Sequence, residues 1–219
     1  MVSGRPWPTD MKLIFETEDL EAYLQESDVI DFHVSPVREK IEEIADRSPL
    51  DVERARMAFE YARDQISHSF DLQDGVVTVS ASQAMACHEG ICFAKAHVLA
   101  ALLRGLKIPT GFCYQRVTRK GTPESGYALH GLNAVYLPSR RVWFRLDPRG
   151  NKPGVNSQFC IETEQLAYTI HPEMGEVDYP CVFTAPLPEV LAAMRDSTSV
   201  QELFFNRPPA LDCPNPTKP

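Results

Sequence analysis

Between Gly90 and Asp147 one apolar helix pattern is followed by three strand-like runs, and this order constrains the fold more than any other feature of the chain. The helix pattern runs from about Gly90 to Leu106, with Ala96, Leu99, Ala100 and Leu103 on one face, the strongest amphipathic pattern present. Lys107-Ile108-Pro109 ends it, because proline cannot continue a helix. The strand candidates are Gly111 to Thr118, Leu129 to Leu137 and Val142 to Asp147, with a polar loop from Lys120 to Gly126 between the first two.

The last two strands can be registered by arithmetic. With Pro138 to Arg141 as the turn, Leu137 faces Val142, paired numbers sum to 279, and Leu132 faces Asp147. His130 then lies diagonal to Asp147 on the same face, about 7–8 Å away between backbones. A turn of odd length would place the two on opposite faces. Tyr136 falls opposite Trp143, and Val135 opposite Phe144, so both faces are largely apolar and the hairpin is expected to be covered on both sides. A buried histidine and aspartate need partners, and each is the other's nearest.

Cys92 sits in the first turn of the helix pattern, within His88-Glu89-Gly90-Ile91-Cys92-Phe93-Ala94-Lys95. Free N–H groups and the positive dipole end there favour the thiolate. Gly90 and Ala94 leave room for a substrate, and nearby backbone N–H groups suit an oxyanion. Cys92, His130 and Asp147 thus make a candidate nucleophile, base and orienter. Gln83 is a candidate side-chain oxyanion donor by proximity in sequence, and Lys95, one turn on, a candidate support for the thiolate. Cys87, His88, Cys92 and His97 invite a zinc reading, but their spacing does not match paired ligands and His97 falls nearly opposite Cys92 on the helix. No metal and no cofactor is expected. His33, His68 and His171 have no partnered context and read as surface or satisfied core histidines.

The rest of the chain reads as scaffold. Glu18 to Leu24 is expected to be a short acidic helix capped by Thr17; Ser35-Pro36 and Ser48-Pro49 each carry the serine-cap, proline-first start of a further helix. Val76 to Val79 reads as a strand and Gln83 to Cys87 as a short helix. Weaker helices are expected over Glu162 to Tyr168 and Pro188 to Arg195, and the proline-rich Asn206 to Pro219 as an extended or disordered tail. At 219 residues a single domain over 1–205 is expected, with a helical part over 17–68, a catalytic core over 76–168 and the tail over 206–219.

Lys plus Arg number 22 against 30 Asp plus Glu, a net charge of -8, which argues against a nucleic-acid surface. No apolar stretch is long enough to span a membrane, and the first residues, Met1 to Pro8, lack a signal-peptide core. Six cysteines without a secretion signal are expected to be reduced thiols in a cytoplasmic protein. The oligomeric state is left open.

Gly90-Ile91-Cys92, the Ala-Leu-rich helix ending in Leu102 to Pro109, His130 and Asp147-Pro148 together resemble the bacterial transglutaminase-like proteins, over roughly Val76 to Tyr168. The resemblance implies an α+β fold with a papain-like core, in which an N-terminal helical layer and the Cys-bearing helix pack on an antiparallel sheet carrying His and Asp. It also implies Cys92 as nucleophile, His130 as base and Asp147 as orienter, acting on a peptide, protein or small amide through a thioester. Two positions depart from the family: Phe93 stands where animal-type members commonly have Trp, and Gly131 where many have an aromatic residue. Hydrolysis, as an amidase or peptidase, is favoured over transamidation. The alternative is a noncatalytic protein that keeps the fold and binds a peptide or partner in the groove.

Overall fold

The computed structural model describes residues 11–213; the expectations for Met1 to Pro8 and for the end of the tail lie outside them. The helices are α1 (Val37–Arg47), α2 (Asp51–Asp64), α3 (Ala81–Cys87), α4 (Cys92–Gly105), α5 (Pro188–Asp196) and α6 (Val200–Asn206). The strands are β1 (Ile14–Phe15), β2 (Ser67–His68), β3 (Glu89–Gly90), β4 (Thr110–Thr118), β5 (Tyr127–Leu137), β6 (Val142–Leu146), β7 (Val177–Asp178) and β8 (Cys181–Val182). The main sheet is antiparallel in the order β6-β5-β4-β7, and β1-β8 and β2-β3 are short parallel pairs. This is the expected α+β arrangement, a helical layer and a Cys-bearing helix on an antiparallel sheet.

The hairpin register is Val135↔Phe144 and Leu137↔Val142, with Pro138 to Arg141 as the turn. Both faces of the sheet are covered. Phe112, Leu129, Val135 and Phe144 join the core around α4, while Cys113, Leu132 and Ala134 pack beneath Tyr23, Phe15 and Trp143. Asn133 crosses to the helix, its Nδ2 donating to the Ala96 and Gly111 carbonyls at 3.2 Å each.

The amphipathic expectation for α4 was too narrow. Every residue from Cys92 to Arg104 is buried, because α1, α2 and α3 wrap the side that the sheet leaves open. A helix enclosed on all sides needs no polar stripe. Its two basic residues are accommodated by backbone carbonyls: Lys95 donates to Arg63 and Ile66, and Arg104 to Gln25, Thr110 and Thr184.

Other expectations are corrected. The first helical element is a 3-10 turn, Leu20–Leu24, capped by Asp19 and not Thr17, since Asp19 Oδ1 accepts from Glu21 N at 3.0 Å. The helices after Ser35-Pro36 and Ser48-Pro49 begin at Val37 and Asp51, with neither serine at the cap. Val76 to Val79 has no ladder partner; its Thr78 hydroxyl donates to Glu89 O instead. Glu162 to Tyr168 is not helical, because tertiary bonds claim it: Glu164 pairs with Arg145, and Ala167 N donates to Asp147 Oδ2 at 3.0 Å. Helix α6 was not anticipated, although Ser199 caps it by accepting from Glu202 N at 3.1 Å.

The tail and the thiols also differ from expectation. Leu129 N donates to Pro208 O at 2.7 Å, and Leu211 and Cys213 pack on the core, so the segment to Cys213 is extended but held. Cys181 and Cys213, with Cα atoms 6.4 Å apart, form a disulfide, so two of the six thiols are not reduced. That removes the support the cysteines lent to a cytoplasmic setting. Among the described residues no helix is long and apolar enough to cross a membrane.

Candidate active site

The pairing of β2 with β3 brings the chain to the start of α4 beside the sheet, setting Ser67 against Glu89 and His68 against Gly90. Gly90 is required by this packing: a Cβ there would lie 2.8 Å from Ala94 Cβ and 3.0 Å from Thr78 Oγ1. Ile91 is extended, and Cys92 is the first residue of α4, where backbone N–H groups have no intrahelical partner.

His130 from β5 and Asp147, just past β6, meet as the register requires. His130 Nε2 donates to Asp147 Oδ2 at 2.7 Å, and both side chains are buried. Asp147 is held further by the N–H groups of Ala167 (3.0 Å) and Arg149 (3.1 Å), and its carbonyl accepts from Ser157 Oγ. With Nε2 engaged, Nδ1 is the ring nitrogen left to face the Cys92 thiol, and each group shifts the other's pKa.

Electrostatics separate Cys92 from the other buried thiol. Burial raises both. At Cys113 the charge of Arg145 offsets only part of it, the Asp178 and Glu164 charges add to it, and the pKa is pushed up to about 12. At Cys92 burial is outweighed by the charge and hydrogen bond of His130, the charge of Arg207 and the Gly131 N–H, so the thiol falls below its ordinary value. His130 moves the other way: burial lowers it, but Asp147 and Cys92 lift it well above the usual histidine range. Asp147 lies below the ordinary carboxylate value, burial being overcome by His130 and the two N–H donors. The three together favour a thiolate, an imidazolium and a carboxylate.

The triad opens on a cavity of about 720 Å³ lined by Cys92 and His130, together with His68, Arg149, Tyr168 and Arg207. Tyr168 meets the His130 ring edge-on, with centroids 4.8 Å apart. Its hydroxyl accepts from Arg149 Nε at 3.0 Å, and the Arg149 guanidinium forks onto both oxygens of Asp71 at 2.6 and 3.0 Å. His68 was missed as a site residue. It is nearly buried, Nδ1 accepts from Phe70 N at 3.3 Å, and burial followed by the Arg149 charge holds it neutral, leaving Nε2 as the donor nitrogen. His171 lines the same cavity at its exposed rim, paired with Glu173, whereas His33 pairs with Glu26 at the surface. Only the pairing Ser-His at 67–68 before a turn could have pointed to His68, and that is a weak signal.

Two supporting assignments fail. Gln83 Oε1 accepts from Val79 N and Ser80 N in the capping box of α3, and the residue lines a different cavity, so it is not an oxyanion donor to Cys92. Lys95 faces the end of α2, where burial lowers its pKa to about 7; it lends nothing to the thiol. Cys87, His88, Cys92 and His97 do not converge: Cys87 is exposed, and His97 Nδ1 contacts Val79 O at 2.7 Å. Among the described residues no group of three metal-ligating side chains is gathered.

Two solved structures resemble the chain. One, from Cytophaga hutchinsonii and named only provisionally as a cysteine protease, is 14% identical, covers 61% of this chain and has a TM-score of 0.48. The other, the periplasmic domain of TgpA from Pseudomonas aeruginosa, is 17% identical, covers 60% and has a TM-score of 0.44. The aligned part spans 43% and 48% of those two chains. No curated protein matches. The sequence pattern of the transglutaminase-like superfamily matches residues 38–148, more than half of the 219, and the chain belongs to that superfamily.

Proposed function

We propose that this protein is a cysteine-nucleophile acyl-transfer enzyme acting on amide bonds, with Cys92 as nucleophile, His130 as general base and acid, and Asp147 as orienter. The observation that carries the reading is the opposite behaviour of the two buried thiols, one raised by burial and the other lowered by His130. The Cys92 thiolate attacks the amide carbonyl. His130 then gives its proton to the departing amine as the C–N bond breaks, leaving a thioester. Water adds next, surrendering a proton to His130; the C–S bond breaks and the acid leaves. An amine in place of water would give transamidation, and hydrolysis is the simpler outcome. The Cys92 N–H and neutral His68 are the proposed oxyanion donors. The proposed domain spans 1–205, and the first part of the tail, through Cys213, packs against it.

The low exposure of Cys92, 2%, favours the rival reading of a noncatalytic binder. Against it stand the cavity that Cys92 lines and the imidazole partner that an inert core thiol would not need. Iodoacetamide alkylation, followed by mass spectrometry across pH, decides. An ordinary thiol titrates near about 8.5, and an activated one well below. Cys92 is expected to label fast near pH 6 in the wild type and slowly in His130→Ala. Labelling no faster than at buried Cys113 would replace the enzyme by the binder.

A further inference from the structure

The chain is acidic overall, yet the wall around Cys92 carries Arg119, Lys120, Arg149, Lys152 and Arg207. Three of these are engaged within the fold. Arg119 donates to the carbonyls of Phe204, Phe205 and Arg207, and Arg149 and Lys152 both bind Asp71. Lys120 is exposed to water. Arg207 is different. It is 7% exposed, its buried Nε has no hydrogen-bond partner, and no carboxylate is among the groups whose charge acts on it.

Its position is fixed without a carboxylate partner. The guanidinium lies 4.9 Å from the Phe70 ring centroid and 5.0 Å from that of Phe204, so two aromatic residues hold it while the Pro208 carbonyl anchors the next residue to β5. The anion whose charge reaches Arg207 is the Cys92 thiolate, already paired with His130, so no carboxylate of the fold competes for its guanidinium. Arginine's planar fork suits that group, since it can give two parallel hydrogen bonds to one carboxylate. Arg207 and Cys92 line the same cavity, so an anion held by Arg207 shares it with the amide that Cys92 attacks.

We propose that Arg207 is the receptor for a carboxylate on the substrate, so that the site selects amides carrying an acid group next to the bond attacked by Cys92. This rests on the acyl-transfer reading above. The carboxylate is either the terminal acid of a short peptide or an acidic side chain, and the cavity is large enough for a substrate of a few residues.

The test needs no knowledge of the natural substrate. Iodoacetate and iodoacetamide deliver nearly the same electrophile with and without a carboxylate. Their rate ratio at Cys92 cancels any change in the thiolate fraction. Arg207→Gln is expected to lower the iodoacetate-to-iodoacetamide ratio about tenfold, with Arg207→Lys between it and wild type, as loss of one charge-assisted contact implies. An unchanged ratio, with Cys92 still reactive, overturns the receptor and leaves the enzyme reading standing; a wild-type Cys92 inert to both reagents ends both. Should the variants fold poorly, protection of wild-type Cys92 from iodoacetamide serves instead. N-acetylglycine and N-acetylaspartic acid 1-amide, each bearing one carboxylate, are expected to protect at lower concentration than N-acetylglycinamide, and the better of the two identifies the source of the acid. Equal protection by the neutral amide overturns the proposal.

Discussion

Gly131→Ala is the sharpest probe of how the site is built. An added Cβ would stand 2.6 Å from Phe93 Cδ1 and 3.2 Å from its Cε1, whereas ordinary contact begins at 3.4 Å, so ring and strand must separate by about 0.8 Å (3.4 less 2.6). The ring has nowhere to go, being 2% exposed and packed edge-on against Tyr114 with centroids 6.2 Å apart. Overpacking of this kind costs about 1–3 kcal/mol, or a fall of about 2–12 °C in Tm for a chain this size. The displacement also acts on the nucleophile, because the Gly131 N–H is one of the groups that lower the Cys92 pKa. Thermal unfolding by circular dichroism gives the first effect, and iodoacetamide labelling near pH 6 the second. The double mutant supplies the control. Phe93→Ala alone opens a cavity costing about 3–5 kcal/mol, and in that background Gly131→Ala is expected to be neutral or stabilising because its methyl enters the vacated space. If the two changes simply add, Phe93 is not what forbids a side chain at 131. The two departures from the family pattern thus touch each other: the ring at 93 occupies the place of a side chain at 131.

Lys95, with a folded pKa of about 7 against an unfolded value near 10.4, makes the unfolded chain bind more protons between those limits, so stability rises with pH across that window. Lys95→Met is expected to flatten the rise, and urea titrations at pH 7 and 9.5 with equal slopes in both proteins would contradict it. Arg145, wholly buried, forks onto Glu164 at 2.6 and 2.7 Å and onto Asp178 at 2.7 and 2.9 Å. Arg145→Met leaves two carboxylates facing each other and is expected to cost about 3–5 kcal/mol in chemical denaturation, with a loss under about 1 kcal/mol refuting the account.

The parts of the site that could be read in the sequence are those carried by strongly patterned elements. Alternation on two long strands, together with a polar four-residue turn, leaves only one register that keeps Val135 opposite Phe144, and that register sets His130 beside Asp147. Cys92 was legible because the apolar run after it and the glycine before it mark a helix start. What escaped is held by contacts distant in sequence. Tyr168 was expected on a helix, but Asp147 needed the Ala167 N–H and Arg145 needed Glu164, and those bonds outweigh a weak local preference. Arg207 is one arginine in a proline-rich stretch, with no periodicity to reveal that it turns inward. Lys95 was expected to support the thiolate one turn away; the wrapping of α4 by α2 turns it instead to the carbonyls of Arg63 and Ile66.

The pocket is put together from pieces that the ribosome delivers far apart in time. Cys92, His130 and Asp147 are all made before Phe204 and Arg207, and the disulfide that pins the last segment waits for Cys213. A nascent chain would therefore carry its nucleophile well before the wall opposite it exists. Completion of the pocket waits for the segment from Phe204 to Cys213, which is made more than a hundred residues after the nucleophile whose site it finishes.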